Sequence, residues 1–292
     1  MLNSNKNAIK LLKMPKKITE CIIKENDICS NKEIINKLIE FYKKIIEKNK
    51  KVASSQNIKN IMIGLYKILG CSSESCVIVH PQFKNFVKNN GLILNNLKEN
   101  FMPDGPSHSK EWLSNKNIDE VLEIYKKMLN LNASNFLHIN CQLRDFEKYN
   151  TGLSKINWYQ KINSGIKFFC VVINTDYTGG SGIHWFCIFG DFKKKNNYTL
   201  EYFNSSGDPP LPEINKWLYK IKNIISKKMS TFINVVYVNK FNHQTDNSSC
   251  GVYCLYYIWC RINNIPYEYF QKFRVPDELM YEFRKYLFRW HK

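Results

Sequence analysis

Gln244-Thr245-Asp246-Asn247-Ser248-Ser249-Cys250-Gly251-Val252-Tyr253-Cys254-Leu255-Tyr256-Tyr257-Ile258-Trp259 runs from a polar loop into an apolar segment. Asp246, Asn247, Ser248 and Ser249 are residues that cap helices, so the spacing predicts a buried helix beginning at Cys250. A thiol placed there faces the positive end of the helix dipole, and a lowered pKa is expected for it. Gly251 has no side chain, which leaves room for a substrate backbone beside the thiol.

Two upstream stretches supply partners for such a thiol. His184 opens the apolar run Trp185-Phe186-Cys187-Ile188-Phe189, which reads as a buried strand. Asn204 closes a second strand, Tyr198-Thr199-Leu200-Glu201-Tyr202-Phe203, ahead of the turn residues Ser205-Ser206-Gly207. His, Asn, Gln and Cys in this order supply the parts of nucleophilic thiol catalysis. Cys250 is the nucleophile, His184 its base, Asn204 an orienting group and Gln244 an oxyanion donor. Each residue also has a plainer reading. A lone histidine is more often structural, Asn204 suits a turn, and Cys250 competes with nine other cysteines. Asp208, just past the turn, is the rival orienting group. The ordered set in matching contexts favours the catalytic reading.

The arrangement resembles the Ulp/SENP and adenain clan of cysteine proteases. It does so at His184-Trp185, Asn204, Gln244 and Cys250-Gly251. Cys71–Ile78, Asn117–Glu120, Glu201–Ser205 and Met280-Tyr281 extend the likeness toward the viral polyprotein-processing members. The clan's cellular SUMO proteases use Asp where this chain has Asn204. The resemblance implies an α+β fold: a papain-type central mixed sheet packed by helices, carrying an N-terminal helical arm. It also implies cleavage of structural polyproteins after Gly-Gly during virion maturation, with Trp185 walling a narrow substrate channel and Gly251 beside the substrate. The alternatives are a deSUMOylase or deubiquitinase acting on host conjugates, and a non-enzymatic nucleic-acid-binding virion protein. Host cytoplasm (the virus factory) and the virion are the locations expected. Adenain's use of DNA makes weak, nonspecific nucleic-acid binding an expectation by analogy.

Composition sets bounds on these readings. The chain has 292 residues and a formal charge of +18. Residues 1–107 hold 18 Lys, no Arg and 9 acidic residues, half of that net charge. Lysine suits diffuse attraction to anions rather than bidentate reading of bases. No apolar run approaches the roughly 18 residues of a membrane span, and the N-terminus does not read as a secretory signal. The ten cysteines are scattered, several in apolar runs, which fits unpaired thiols in a reducing compartment. Cys71 and Cys76 have no second pair at zinc spacing, so neither a metal nor another cofactor is expected.

The chain reads as two domains, 1–107 and 108–292. Residues 1–17 are expected to be disordered. Ser30 and Glu33 form a capping box ahead of a stripe at Ile34, Ile35, Leu38, Phe41, Tyr42, Ile45 and Ile46. A second stripe from Ile58 to Leu69 ends at Gly70, and short helices are expected over 81–89 and 93–101. Met102-Pro103-Asp104-Gly105-Pro106 breaks any helix. Beyond it, helices are expected over 117–129, 211–228, from Cys250, and over 276–290. Strands are expected over 166–173, 184–189, 198–203 and 232–238. The loop Asp176–Gly182 reads as flexible and as a border of the cleft.

Overall fold

Strands that are apolar at every position need cover on both faces, and that need organises this protein. The computed structural model describes residues 20–22, 28–48, 57–106, 110–129, 131 and 135–289; the segment expected to be disordered lies outside them. Helices α1 (Lys32–Lys48), α2 (Ile58–Leu69), α3 (Glu74–Val79), α4 (Pro81–Val87) and α5 (Asn90–Asn100) come first, followed by α6 (Asn115–Met128). Then come β1 (Phe136–Leu143), α7 (Trp158–Asn163), β2 (Phe168–Asn174), β3 (Trp185–Asp191) and β4 (Tyr198–Phe203). The chain continues through α8 (Pro212–Met229), β5 (Ile233–Val238), α9 (Cys250–Ile262), α10 (Glu268–Lys272) and α11 (Asp277–Arg284).

The five strands form one mixed sheet in the order β1-β2-β3-β4-β5. The outer pairs are parallel and the inner pairs antiparallel. Each parallel pair needs a crossover helix, supplied by α7 for β1 to β2 and by α8 for β4 to β5. Trp158 and Ile162 of α7 and Trp217, Leu218 and Ile221 of α8 share one core with Phe169, Val171, Phe186, Ile188, Leu200 and Tyr202. Alternate residues point the other way. On that face Phe203 stacks on Tyr257 of α9 with ring centroids 4.3 Å apart. Fully buried Glu201 accepts hydrogen bonds there from Tyr257 Oη and from Arg261 Nε and Nη2. The expected α+β core of a central mixed sheet packed by helices is therefore present, with α9 as its buried helix.

Several sequence expectations shift in detail. β1 lies outside the expected strands; it is an edge strand, and His138, Asn140 and Gln142 interrupt its apolar pattern. The helix expected to run to residue 290 stops at Arg284. Arg284 Nη1 donates to Glu111 O, while Phe288 packs where Gly105 lacks a Cβ and Arg289 N donates to Pro103 O. These contacts, made at separate points in the chain, override the local periodicity. Helix α1 is capped by Asn31, whose Oδ1 accepts from Ile34 N, and not by Ser30, whose Oγ accepts from Asn96 Nδ2.

The described residues divide into two compact units. One holds 110–284. The other holds the helical residues 20–106 together with 285–289, a segment that the sequence boundary assigned to the catalytic domain. The helical unit has its own core, from Cys21 and Cys29 through Ile34, Leu38 and Phe83 to Phe101. Two disulfides sit in it, Cys21–Cys29 and Cys71–Cys76, so the expectation of unpaired thiols fails at four positions. Cys71 and Cys76 are close enough in sequence to bond to each other, and a bonded pair is not a thiolate ligand set. Glu20, Cys29 and Glu74 also converge. Cys29 is disulfide-bonded there, and the two carboxylates accept backbone N–H groups of residues 29, 30, 74 and 75. Among the described residues, no helix is long and apolar enough to cross a membrane.

Candidate active site at one edge of the sheet

Strand direction accounts for the meeting of residues far apart in sequence. β3 and β4 are antiparallel with Cys187 opposite Phe203, so the start of β3 and the end of β4 share one edge of the sheet. His184 and Asn204 stand at those two ends. β5 runs parallel to β4 with Val238 beside Phe203, so the loop that leaves β5 emerges at the same edge. That loop is fastened there by His243 N and Gln244 N, both donating to Ser205 O. It then turns into α9, whose first residue is Cys250.

The orientation of Asn204 is set by its neighbours. Its Nδ2 donates to Tyr202 Oη at 3.1 Å and to Asp208 O at 3.5 Å. Its Oδ1 accepts from Ser206 N at 3.1 Å and lies 2.7 Å from His184 Nε2. An amide oxygen only accepts, so His184 carries its proton on Nε2 and keeps the lone pair on Nδ1. Asp208, the rival orienting group, stands one step back: its Oδ2 lies 2.6 Å from Ser206 Oγ, which is 2.9 Å from Asn204 Oδ1.

Gln244 is held at both ends. Its Oε1 accepts from Ser205 Oγ at 2.8 Å. Its Nε2 donates to Asp246 O at 2.8 Å and to Asp246 Oδ1 at 3.1 Å. Cys250 is only 2% exposed. The expected depression of its pKa is not found. Burial pushes the thiol up to about 12, with the backbone N–H groups of Trp185 and Gly251 acting against that rise. Desolvation of a thiolate outweighs the helix N-terminus here. Burial also lowers the His184 pKa, opposed by its bond to Asn204 and by the charge of Asp208. Burial thus disfavours the charged form of each group, thiolate and imidazolium alike.

With this geometry, the comparisons with known proteins have a site to refer to. Residues 145–290 match the model of the Ulp1 protease family, C-terminal catalytic domain. The SUMO-1 cysteine protease of African swine fever virus is 33% identical over 236 residues, covering 76% of this chain and 84% of that protein. The crystal structure of the African swine fever virus protease superposes with a TM-score of 0.77 at 29% identity, covering 96% of this chain and 99% of that one. The chain belongs to the Ulp1 protease family. It is a cysteine protease.

The cleft of this Ulp1-family protease encloses about 530 Å³ and is lined by Trp112, Ile183, His184, Ser206 and the loop residues 242 and 244–247. Trp112 and Ile183 are 46% and 59% exposed, large apolar groups held at the rim. Sequence reading missed both. Ile183 adjoins His184, which was a usable signal, whereas Trp112 joins the cleft only through tertiary structure. Trp185, expected to wall a channel, is buried, and its indole Nε1 donates to Leu113 O at 3.0 Å. It thereby pins the segment that presents Trp112. Gly251 does not face the open cleft. A Cβ there would lie 3.2 Å from Leu113 Cβ, 3.3 Å from Ile118 Cδ1 and 3.4 Å from Trp185 Cδ1, so the missing side chain serves close packing.

The loop before His184, expected to be flexible, is tied down. Asp176 Oδ2 accepts from Gly182 N, Asn174 Oδ1 from Ile183 N, and Asp145 Oδ1 from Thr178 Oγ1. These bonds fix where Ile183 and His184 enter the cleft. Behind the site, Asp277 binds the Gln244 loop through Thr245 N and Asp246 N and also accepts from Tyr253 Oη of α9. Nothing in the local sequence of Asp277 marks that role.

Proposed function

We propose that this chain is a viral endopeptidase that cleaves structural polyproteins after Gly-Gly during virion maturation. The observation that supports it most is the 2.7 Å bond between His184 Nε2 and Asn204 Oδ1 at the mouth of a cleft shared with Gln244. His184 Nδ1 takes the Cys250 proton as sulfur attacks the scissile carbonyl. The same imidazole then delivers that proton to the leaving amine, and water releases the acyl-enzyme. Asn204 keeps the ring in the required tautomer. Gln244 Nε2 and the Cys250 backbone N–H stabilise the oxyanion, about 3–4 kcal/mol for such a donor.

Residues without side chains at P1 and P2 suit a cleft whose rim is built from Trp112 and Ile183. The name of the African swine fever relative, SUMO-1 cysteine protease, also raises host ubiquitin-like conjugates as substrates. They share the scissile Gly-Gly but bring a folded domain that must dock outside the cleft. The virus factory in the host cytoplasm and the virion are the proposed locations. Weak nucleic-acid binding through the lysine-rich surface is part of the proposal.

The deciding experiment sets a peptide library and a panel of ubiquitin-like fusions against wild type and Cys250→Ala. Cleavage of Gly-Gly-X peptides and polyprotein segments by wild type alone is the expected outcome. Efficient turnover restricted to folded ubiquitin-like fusions would replace the polyprotein reading. Peptide cleavage retained by Cys250→Ala would remove the assignment of the nucleophile.

A further inference from the structure

Asp246 lies two residues beyond Gln244 and four before Cys250, and its carboxylate gathers bonds from both sides. Oδ1 accepts from Ser248 N at 3.1 Å, Ser249 N at 3.0 Å and Gln244 Nε2 at 3.1 Å. Oδ2 accepts from Ser249 Oγ at 2.5 Å and Tyr281 Oη at 2.9 Å. Ser249, the residue adjoining α9, makes no side-chain cap of its own. One carboxylate thus arranges the turn into the nucleophile's helix and also holds the side chain of the candidate oxyanion donor.

The hydrogen bonds of Gln244 make the second role specific. A primary amide has two nearly isosteric ends, and Ser205 Oγ, as a hydroxyl, can donate to one or accept from the other. Ser205 alone therefore does not decide which end of Gln244 faces it. Asp246 does, because its main-chain carbonyl and its carboxylate both only accept, and both face Gln244 Nε2. With the amide turned around, oxygen would confront oxygen. The two contacts also differ in strength. The carbonyl holds one N–H at 2.8 Å, while Oδ1 divides itself among three donors at 3.0–3.1 Å. The N–H on Oδ1 is the one most readily given up to a stronger acceptor, and a developing oxyanion is such an acceptor.

We infer that Asp246 is a positioning residue for the oxyanion hole: it selects the orientation of the Gln244 amide and holds one of its N–H groups until charge develops on the substrate carbonyl. This inference rests on the reading of Gln244 as oxyanion donor. Asp246 touches no reacting atom, and its part in the oxyanion hole is played through Gln244.

The test is a double-mutant cycle on the full chain, measuring kcat and KM on a Gly-Gly-X peptide. Asp246→Ala leaves the main-chain carbonyl but removes the second of the two acceptors that oppose an amide flip. A fall in kcat of about tenfold or more with KM within about twofold is expected, since the loss is confined to the transition state. Asp246→Asn keeps Oδ1 as an acceptor and should recover most of that loss. In a Gln244→Ala background, Asp246→Ala should cost much less than it does in wild type, leaving only the share that comes from the turn into α9. Asp246→Glu, which keeps the charge but displaces the carboxylate, serves the same cycle if the alanine variant fails to fold.

If Gln244→Ala is impaired but the Asp246 loss multiplies with it, Asp246 acts only as a structural cap and the inference falls alone. If Gln244→Ala retains wild-type kcat, the oxyanion assignment falls and takes the inference with it. A loss in Asp246→Asn equal to that in Asp246→Ala would also overturn it, because charge rather than amide orientation would then be the cause.

Discussion

An imidazole takes a proton from a thiol only through a nitrogen with a lone pair, and in this protein Asn204 decides which nitrogen that is. Because its Oδ1 occupies the Nε2–H, Nδ1 is left for the role of base in the proposed mechanism. Cys250→Ala and His184→Ala should abolish peptide cleavage without lowering the melting temperature appreciably, whereas Asn204→Ala should keep part of the activity. Gln244→Ala should lower kcat by about 10²–10³ with little change in KM. The acid limb of kcat/KM tests the electrostatics. The proposed mechanism requires neutral His184, and burial holds its pKa below the ordinary 6.5. Neutral imidazole therefore persists to lower pH, and the midpoint of the limb should fall below 6.5. Asn204→Asp would set a carboxylate against the Nε2–H, favour the imidazolium and move that midpoint upward. A midpoint above 6.5 in wild type, or no movement in the Asp variant, would contradict this account of the pair.

At the level of elements, the position of Cys250 depends on how α9 is seated on the sheet. Its C-terminal half is tied to β4 by Arg261, which donates to both oxygens of fully buried Glu201 and, from Nη1, to Ile265 O. Removing one member of a buried pair strands the other. Arg261→Ala should therefore destabilise the fold by about 3–5 kcal/mol, read from chemical denaturation. Replacing both partners by apolar residues of similar volume should cost far less, and comparing the two variants separates a stranded charge from lost packing. Activity should fall with the folded fraction, since no catalytic candidate touches Arg261. At the other end of α9, Gly251 packs against Leu113, Ile118 and Trp185, which joins the helix to the wall of the cleft.

Taken as a whole molecule, the protein has catalytic candidates in one compact unit and both disulfides in the other. Helices α1 to α5 close a core of their own, so they are expected to support activity without supplying a catalytic group. A truncation beginning near His108 should retain some peptide cleavage and lose efficiency on long polyproteins. Ending it at Arg284 should improve its solubility, because Phe288 and Arg289 otherwise lose the segment around Gly105 and Pro103 that they pack on. Equal rates for the truncated and full chains on a polyprotein would leave the helical unit without a part in substrate engagement. The formal charge of +18 leads to a separate expectation: DNA binding at low salt that weakens steeply as salt rises. Absence of binding at low salt would reduce the lysines to a solvated face.

Much of this was legible in the residues alone, and the legible part has a physical signature. Apolar runs such as Trp185–Phe189 and Val252–Trp259 carry their burial in their composition, and a His or Cys at the boundary of such a run marks a rigid element's end. That was enough to read an α+β core, the buried helix and the four candidates His184, Asn204, Gln244 and Cys250, while the mixed sheet was an implication of the family resemblance. What the chain does locally was therefore determined by sequence: which segments are buried, where helices begin, and which side chains have suitable chemistry. Tertiary structure decided everything that depends on a distant partner. Strand β1 takes its place from pairing with β2, against a weak local pattern. Trp112 reaches the cleft because Trp185 holds the neighbouring Leu113 carbonyl. Cys21 and Cys29 were not recognised as a pair because the fold brings them together. The thiol pKa rises because desolvation depends on all that surrounds Cys250, while the helix dipole that sequence reveals is only one contribution. Periodicity and capping are written within a few residues, whereas burial, register and hydrogen-bond partnership exist only once the chain has closed on itself.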